Sequence, residues 1–139
     1  MKVFFDTNVY VAEALRGPGA ARMIRATQEG RWRIFFSDYV LDELTRVLME
    51  DIGLSPKLAA LARTKISKRS AAVTPTGAAS ATVPEDAKDT PVLQAALTCA
   101  ADYLVTNDRH LLALDPFRGL RIISMDSYFQ LLRNEGLLK

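Results

Sequence analysis

Residues 101–112 read Ala-Asp-Tyr-Leu-Val-Thr-Asn-Asp-Arg-His-Leu-Leu. The run Asp102–Thr106 is short, apolar and β-branched, and it stops at Asn107-Asp108, residues that cap helices. A short helix over Arg109–Leu114 comes next. The N-terminus repeats the device: Lys2-Val3-Phe4-Phe5 stops at Asp6-Thr7-Asn8, ahead of a helix over Val9–Leu15. A strand that ends on an acid and passes straight into a helix, twice, predicts an α/β domain.

The intervening chain keeps that alternation. Gly17-Pro18-Gly19 breaks the first helix, and a second runs from Ala20 to Glu29, ended by Gly30. Trp32–Phe36 reads as a strand, and Ser37-Asp38 caps a helix from Tyr39 to about Asp51. Ser55-Pro56 opens another helix to about Lys68, with proline at the first helical position. Ala71-Ala72-Val73 is a third, weak strand, and residues 74–88 form a long connection. A helix from Pro91 to Ala100 places Val92, Leu93, Ala96, Leu97 and Ala100 on one side. Leu120–Ile123 is the last strand and Ser127–Asn134 the last helix. Alternating strands and helices predict a mostly parallel sheet covered on both faces, a three-layer α/β/α arrangement.

Composition narrows the possibilities. The chain has 139 residues, 49% hydrophobic and 24% charged, which suits a single domain over residues 1–139. Cys99 is the only cysteine and His110 the only histidine, excluding a disulfide scaffold and a structural zinc site. No apolar run reaches the roughly 20 residues of a membrane span, and Val3-Phe4-Phe5 is too short for a signal-peptide core. The expectation is a cytosolic protein. A net charge of +2 argues for no partner, but its distribution is uneven. Lys57, Arg63, Lys65, Lys68 and Arg69 fall in a stretch without acids, while Glu85–Asp89 is acidic.

The carboxylates carry the chemistry. Asp6 and Asp108 both lie at strand ends, where parallel sheets bind ligands, although each alone is explained as an N-cap. On a helical wheel starting at Val40, Leu41, Leu44, Val47, Leu48 and Ile52 fill one arc. Asp42 falls opposite the arc, and Glu43 falls at its edge, next to Val47. Asp89 precedes Thr90-Pro91 at the start of the helix leading to the Asp108 strand; Glu85 and Asp86 read as loop charges. If the four acids converge, like charges ~4 Å apart repel by roughly 4 kcal/mol per pair at an effective dielectric near 20. Such a cluster must be protonated or neutralised by a cation, and an all-carboxylate donor set suits Mg²⁺ or Mn²⁺. Those ions work on phosphate oxygens, so the chemistry implied is phosphodiester hydrolysis.

Residues 3–9 (VFFDTNV), 37–48 (SDYVLDELTRVL), 89–96 (DTPVLQAA) and 101–112 together resemble the PIN-domain family of metal-dependent nucleases, in particular its toxin-like single-domain branch, over nearly the whole chain. The resemblance implies a five-stranded parallel sheet flanked by helices, and an acidic quartet at Asp6, Glu43, Asp89 and Asp108 holding one or two divalent ions for RNA cleavage. It assigns Asn8 and Thr106 to orienting the acids or contacting substrate. It further implies a homodimer and inhibition by a small antitoxin. Many relatives carry a second acid directly before the third motif's aspartate; here Lys88 stands there, with Asp86 the candidate substitute. The basic run, through Lys65, Lys68 and Arg69, is the candidate contact for an RNA backbone.

Competing readings fare worse. A phosphoacceptor receiver domain would need a lysine after a late strand, and none stands around Leu120–Ser124. A haloacid-dehalogenase-type phosphatase would need an acid where this chain has Asn8. A catalytically silent partner-binding domain, or a housekeeping RNA-processing nuclease without antitoxin, is the alternative; all four acids being present argues against the silent one. His110 reads as a surface or capping residue and Cys99 as a small buried hydrophobe. Trp32, Phe35 and Phe36 read as sheet core.

Overall fold

A computed structural model describes residues 1–75 and 89–138. The elements run β1 (Lys2–Phe5), α1 (Thr7–Ala14), α2 (Pro18–Glu29), β2 (Arg33–Phe36) and α3 (Asp38–Arg46), which continues as a π-turn over Val47–Asp51. Then come α4 (Pro56–Arg69), β3 (Ala71–Ala72), α5 (Thr90–Thr98), β4 (Tyr103–Val105), α6 (Arg109–Leu112), β5 (Arg121–Ile123) and α7 (Met125–Asn134). The five strands form one parallel sheet in the order β3-β2-β1-β4-β5. The α/β expectation holds, including the strand count.

β1 is central and fully buried. Val3, Phe4 and Phe5 are each 0% exposed. Consecutive strand residues face opposite ways, so the sheet is covered on both faces at β1. The chain builds outward from β1 through β2 to β3, then returns to lay β4 on the other side of β1. The reversal makes the β1–β4 boundary a switch point, where the loops leaving the two strands diverge and open a crevice at their carboxyl ends. Among the described residues no helix is long and apolar enough to cross a membrane.

Several element ends differ from expectation for identifiable reasons. Pro18 begins α2 instead of breaking the chain before Ala20, because Gly17 serves as N-cap. The amide of Gly17 reaches Ala12 O at 2.9 Å, and a Cβ at Gly17 would sit 2.8 Å from that oxygen. Thr7 starts α1 two residues early, and Trp32 lies outside β2, its ring stacked on Tyr103. The π-turn carries the bond Ile52 N to Val47 O, 3.0 Å, five residues apart. Widening the turn by one residue rotates the chain beyond it, so Ile52 leaves the buried arc and is 40% exposed. Ala100 also leaves its predicted face, since α5 ends at Thr98 and Ala100 adopts φ 54° in the exit turn. Cys99 is buried as expected.

Candidate functional site

The switch point is held together by side chains just past the ends of β1 and β4. Register pairs Phe5 with Val105, so the next residues, Asp6 and Thr106, face one another. The amide of Asp6 donates to Val105 O at 3.0 Å, and the Thr106 hydroxyl donates to Asp6 Oδ2 at 2.7 Å. Asp6 Oδ1 accepts from the Thr7 amide at 2.7 Å. Asn8 Nδ2 lies 3.4 Å from both Asp6 Oδ2 and Thr106 Oγ1. Thr106 Oγ1 in turn accepts from the Asp108 amide at 3.0 Å. Asn8 and Thr106 thus hold the Asp6 carboxylate, and Thr106 also ties down the Asp108 backbone. Asp6 is only 4% exposed. Burial, with the charges of Glu43 and Asp108 adding to it, pushes its pKa up to about 6 in the metal-free protein, against the lowering effect of the Thr106 and Thr7 bonds.

Glu43 arrives from α3. Ser37 caps that helix through the Val40 amide at 3.3 Å, and Arg46 in the last turn suits its negative end. The wheel separates neighbours as expected: the Asp42 side chain is 71% exposed and paired to Arg63 at 2.8 Å, while Glu43 lines the crevice. Tyr39, one turn earlier on the same face, donates its hydroxyl to Glu43 Oε2 at 3.4 Å. Burial first, then the charge of Glu43, raises the Tyr39 pKa. Arg46 also lines the crevice, but its ion pairs are with Glu50 and Asp51.

Asp89 occupies the N-cap position of α5, yet its side chain makes no capping bond, its backbone being in the helical region (φ −84°, ψ −14°). Capping therefore does not account for a carboxylate that is only 9% exposed. Asp108 does cap: Oδ1 accepts from the amides of His110 at 2.8 Å and Leu111 at 3.3 Å. Asp6, Glu43, Asp89 and Asp108 all line one open cleft of about 350 Å³, together with Thr7, Asn8 and Val11.

Two other features of the sequence take their places relative to the cleft. The His110 side chain is 24% exposed and sits against Asp108, Nδ1 lying 3.8 Å from Oδ1. It stands at the edge of the acid cluster, in the turn that Asp108 caps. The basic run does not border the cleft. Arg69 has a side chain only 9% exposed, forked onto Glu13 at 2.8 and 2.5 Å. Lys65 lies 3.5 Å from the same Glu13, and with Lys68 and Arg25 it borders a separate hollow. Glu13 is seven residues along α1 from Asp6, about 10 Å down the helix axis. Asp86 and Lys88 lie outside the described residues.

A family model described as the PIN domain matches residues 2–110. The chain belongs to the PIN-domain family. No protein in the search of curated sequences matches it. PIN domains are generally metal-dependent nucleases that bind divalent metals, and this PIN domain has the donors for such an ion. The fit rests on chemistry visible in the cleft. Among the described residues four carboxylates share it; Asp6 is disfavoured in its charged form chiefly by burial, and Asp89 adds a buried acid that makes no capping bond to α5. Oxygen-rich, negatively charged and open on one side, the site suits a hard divalent cation with room for a phosphate.

Proposed function

We propose that this PIN domain, acting as one unit over residues 1–139, is a metal-dependent ribonuclease that hydrolyses RNA phosphodiester bonds. The observation that carries the reading is the meeting of Asp6, Glu43, Asp89 and Asp108 around a single cleft at the sheet switch point. These four residues would hold Mg²⁺ or Mn²⁺. When bound, the ion supplies neutralisation of phosphate charge and acidification of water. The protein's own part is positioning. Thr106 and Asn8 fix the Asp6 carboxylate, and Thr106 also anchors the Asp108 backbone, so two acids from sequence-distant strands keep their spacing. Glu43 is presented from a rigid helix, steadied by Tyr39.

The finer reading is the toxin component of a toxin–antitoxin pair, working in the cytoplasm as a homodimer and restrained by a small antitoxin. It rests on the resemblance of the four motifs to the toxin-like branch. The decisive experiment for the chemistry incubates purified protein with single-stranded RNA, with Mg²⁺ or Mn²⁺ and then with excess chelator. Cleavage should vanish on chelation and return with the ion. Undiminished cleavage after rigorous metal removal would overturn the mechanism. A small antitoxin-like protein encoded in the adjacent reading frame would support the toxin assignment.

A further inference from the structure

One nitrogen donor stands beside the acids. A carboxylate oxygen of Asp89, one of Asp108 and a ring nitrogen of His110 all lie within 4.8 Å of one another. Opposite ligands on a six-coordinate ion lie roughly 4.2 Å apart, twice a metal–oxygen distance of ~2.1 Å, so the three atoms nearly fit one coordination sphere as they stand. Their placement is built into the backbone. Asp108 Oδ1 takes the amides of His110 and Leu111, which locks the start of α6 against that carboxylate and leaves Oδ2 outside the capping bonds. The His110 ring is carried on the same fixed turn, and three-quarters of its side chain is covered.

We propose that His110 is a metal ligand, completing with Asp89 and Asp108 a mixed nitrogen–oxygen site that favours Mn²⁺ over Mg²⁺. The inference rests on the acid cluster being the metal centre of the proposed nuclease. Mg²⁺ takes oxygen ligands and holds its waters, gaining little from an imidazole. First-row transition ions accept imidazole readily, and a nitrogen in the sphere raises their affinity relative to Mg²⁺.

The test exploits His110 being the chain's only histidine. Pulsed electron paramagnetic resonance on untagged, Mn²⁺-loaded protein should show ¹⁴N coupling characteristic of a ligated imidazole, and the signal can have no other side-chain source of that kind. Calorimetric titrations should show His110→Gln losing Mn²⁺ affinity by roughly tenfold or more, with Mg²⁺ affinity changed by less than about threefold. Tight Mn²⁺ binding that is weakened by Asp89→Asn, yet shows no imidazole coupling and is unchanged in His110→Gln, would overturn the ligand assignment and leave the acid centre standing. Absence of any Mn²⁺ binding sensitive to Asp89→Asn would overturn both the assignment and the metal centre beneath it.

Discussion

Replacing Asp6 with asparagine should stabilise the metal-free protein. Asp6 is 4% exposed and its pKa is raised from 3.8 to about 6, chiefly by burial. That difference corresponds to ~3 kcal/mol of penalty on the charged form. A raised native pKa means that the stabilising contribution is whole below pH 3.8, falls as pH rises towards about 6, and is gone above it. Asparagine carries no charge to bury. Its amide can still accept from the Thr7 amide but must surrender one bond at Thr106, a loss of about 1 kcal/mol. The net gain near pH 7.5 is therefore ~2 kcal/mol, a rise in melting temperature of roughly 5–10 °C. Thermal melts of both proteins in chelator from pH 4 to 8 measure it. The variant-minus-wild-type difference should be small at pH 4, grow to pH 6 and then level off. Adding Mn²⁺ should stabilise the wild type by linkage and the variant less. A variant that melts lower at pH 7.5, with a difference independent of pH, would refute the buried-charge reasoning.

Further expectations concern individual residues. Glu43→Gln should abolish cleavage of single-stranded RNA while Asp42→Asn retains it, because only the former lines the cleft; equal activities in a nuclease assay would contradict that division. Arg69→Met should lower stability by about 1–3 kcal/mol in a urea titration, since it leaves Glu13, whose side chain is 10% exposed, with only the longer contact to the exposed Lys65. Asp108→Asn should leave metal-free stability within about 1 kcal/mol of wild type, because asparagine can keep the α6 cap. Its Mn²⁺-induced rise in melting temperature should nevertheless shrink.

The legible parts of this molecule are those decided by neighbours in sequence. Asp6-Thr7-Asn8 and Thr106-Asn107-Asp108 announce themselves because an apolar strand stops on residues that cap. The split between Asp42 and Glu43 comes from helical periodicity alone. The hidden parts depend on distant partners or on departures from ideal geometry. Arg69 sits in a run of cations that resembles a solvated face, but Glu13, 56 positions earlier, supplies a buried counter-charge. The π-turn has no local marker in Val47–Asp51, yet it turns Ile52 outwards. His110 and Asp108 are two apart, a spacing that keeps side chains off a common helical face. Asp108 is extended, at φ −74° and ψ 121°, so that rule does not govern the pair. Tyr39 is within reach of the periodicity, lying four residues before Glu43, but nothing marks one such aromatic as a site residue before the cleft is seen.

The seam between β1 and β4 also sets a timetable. Its partners Asp6 and Thr106 are 100 positions apart. A nascent chain that has emerged only through β3 carries Asp6 and Glu43 but neither Asp89 nor Asp108. It has two of the four cleft acids and, lacking Thr106, no hydroxyl to hold the first of them. Under the proposed function, a ribosome making this enzyme is surrounded by RNA that the unfinished chain cannot cut. Competence to cut arrives only with the second half of the chain, as β4 zips against the strand that was made first.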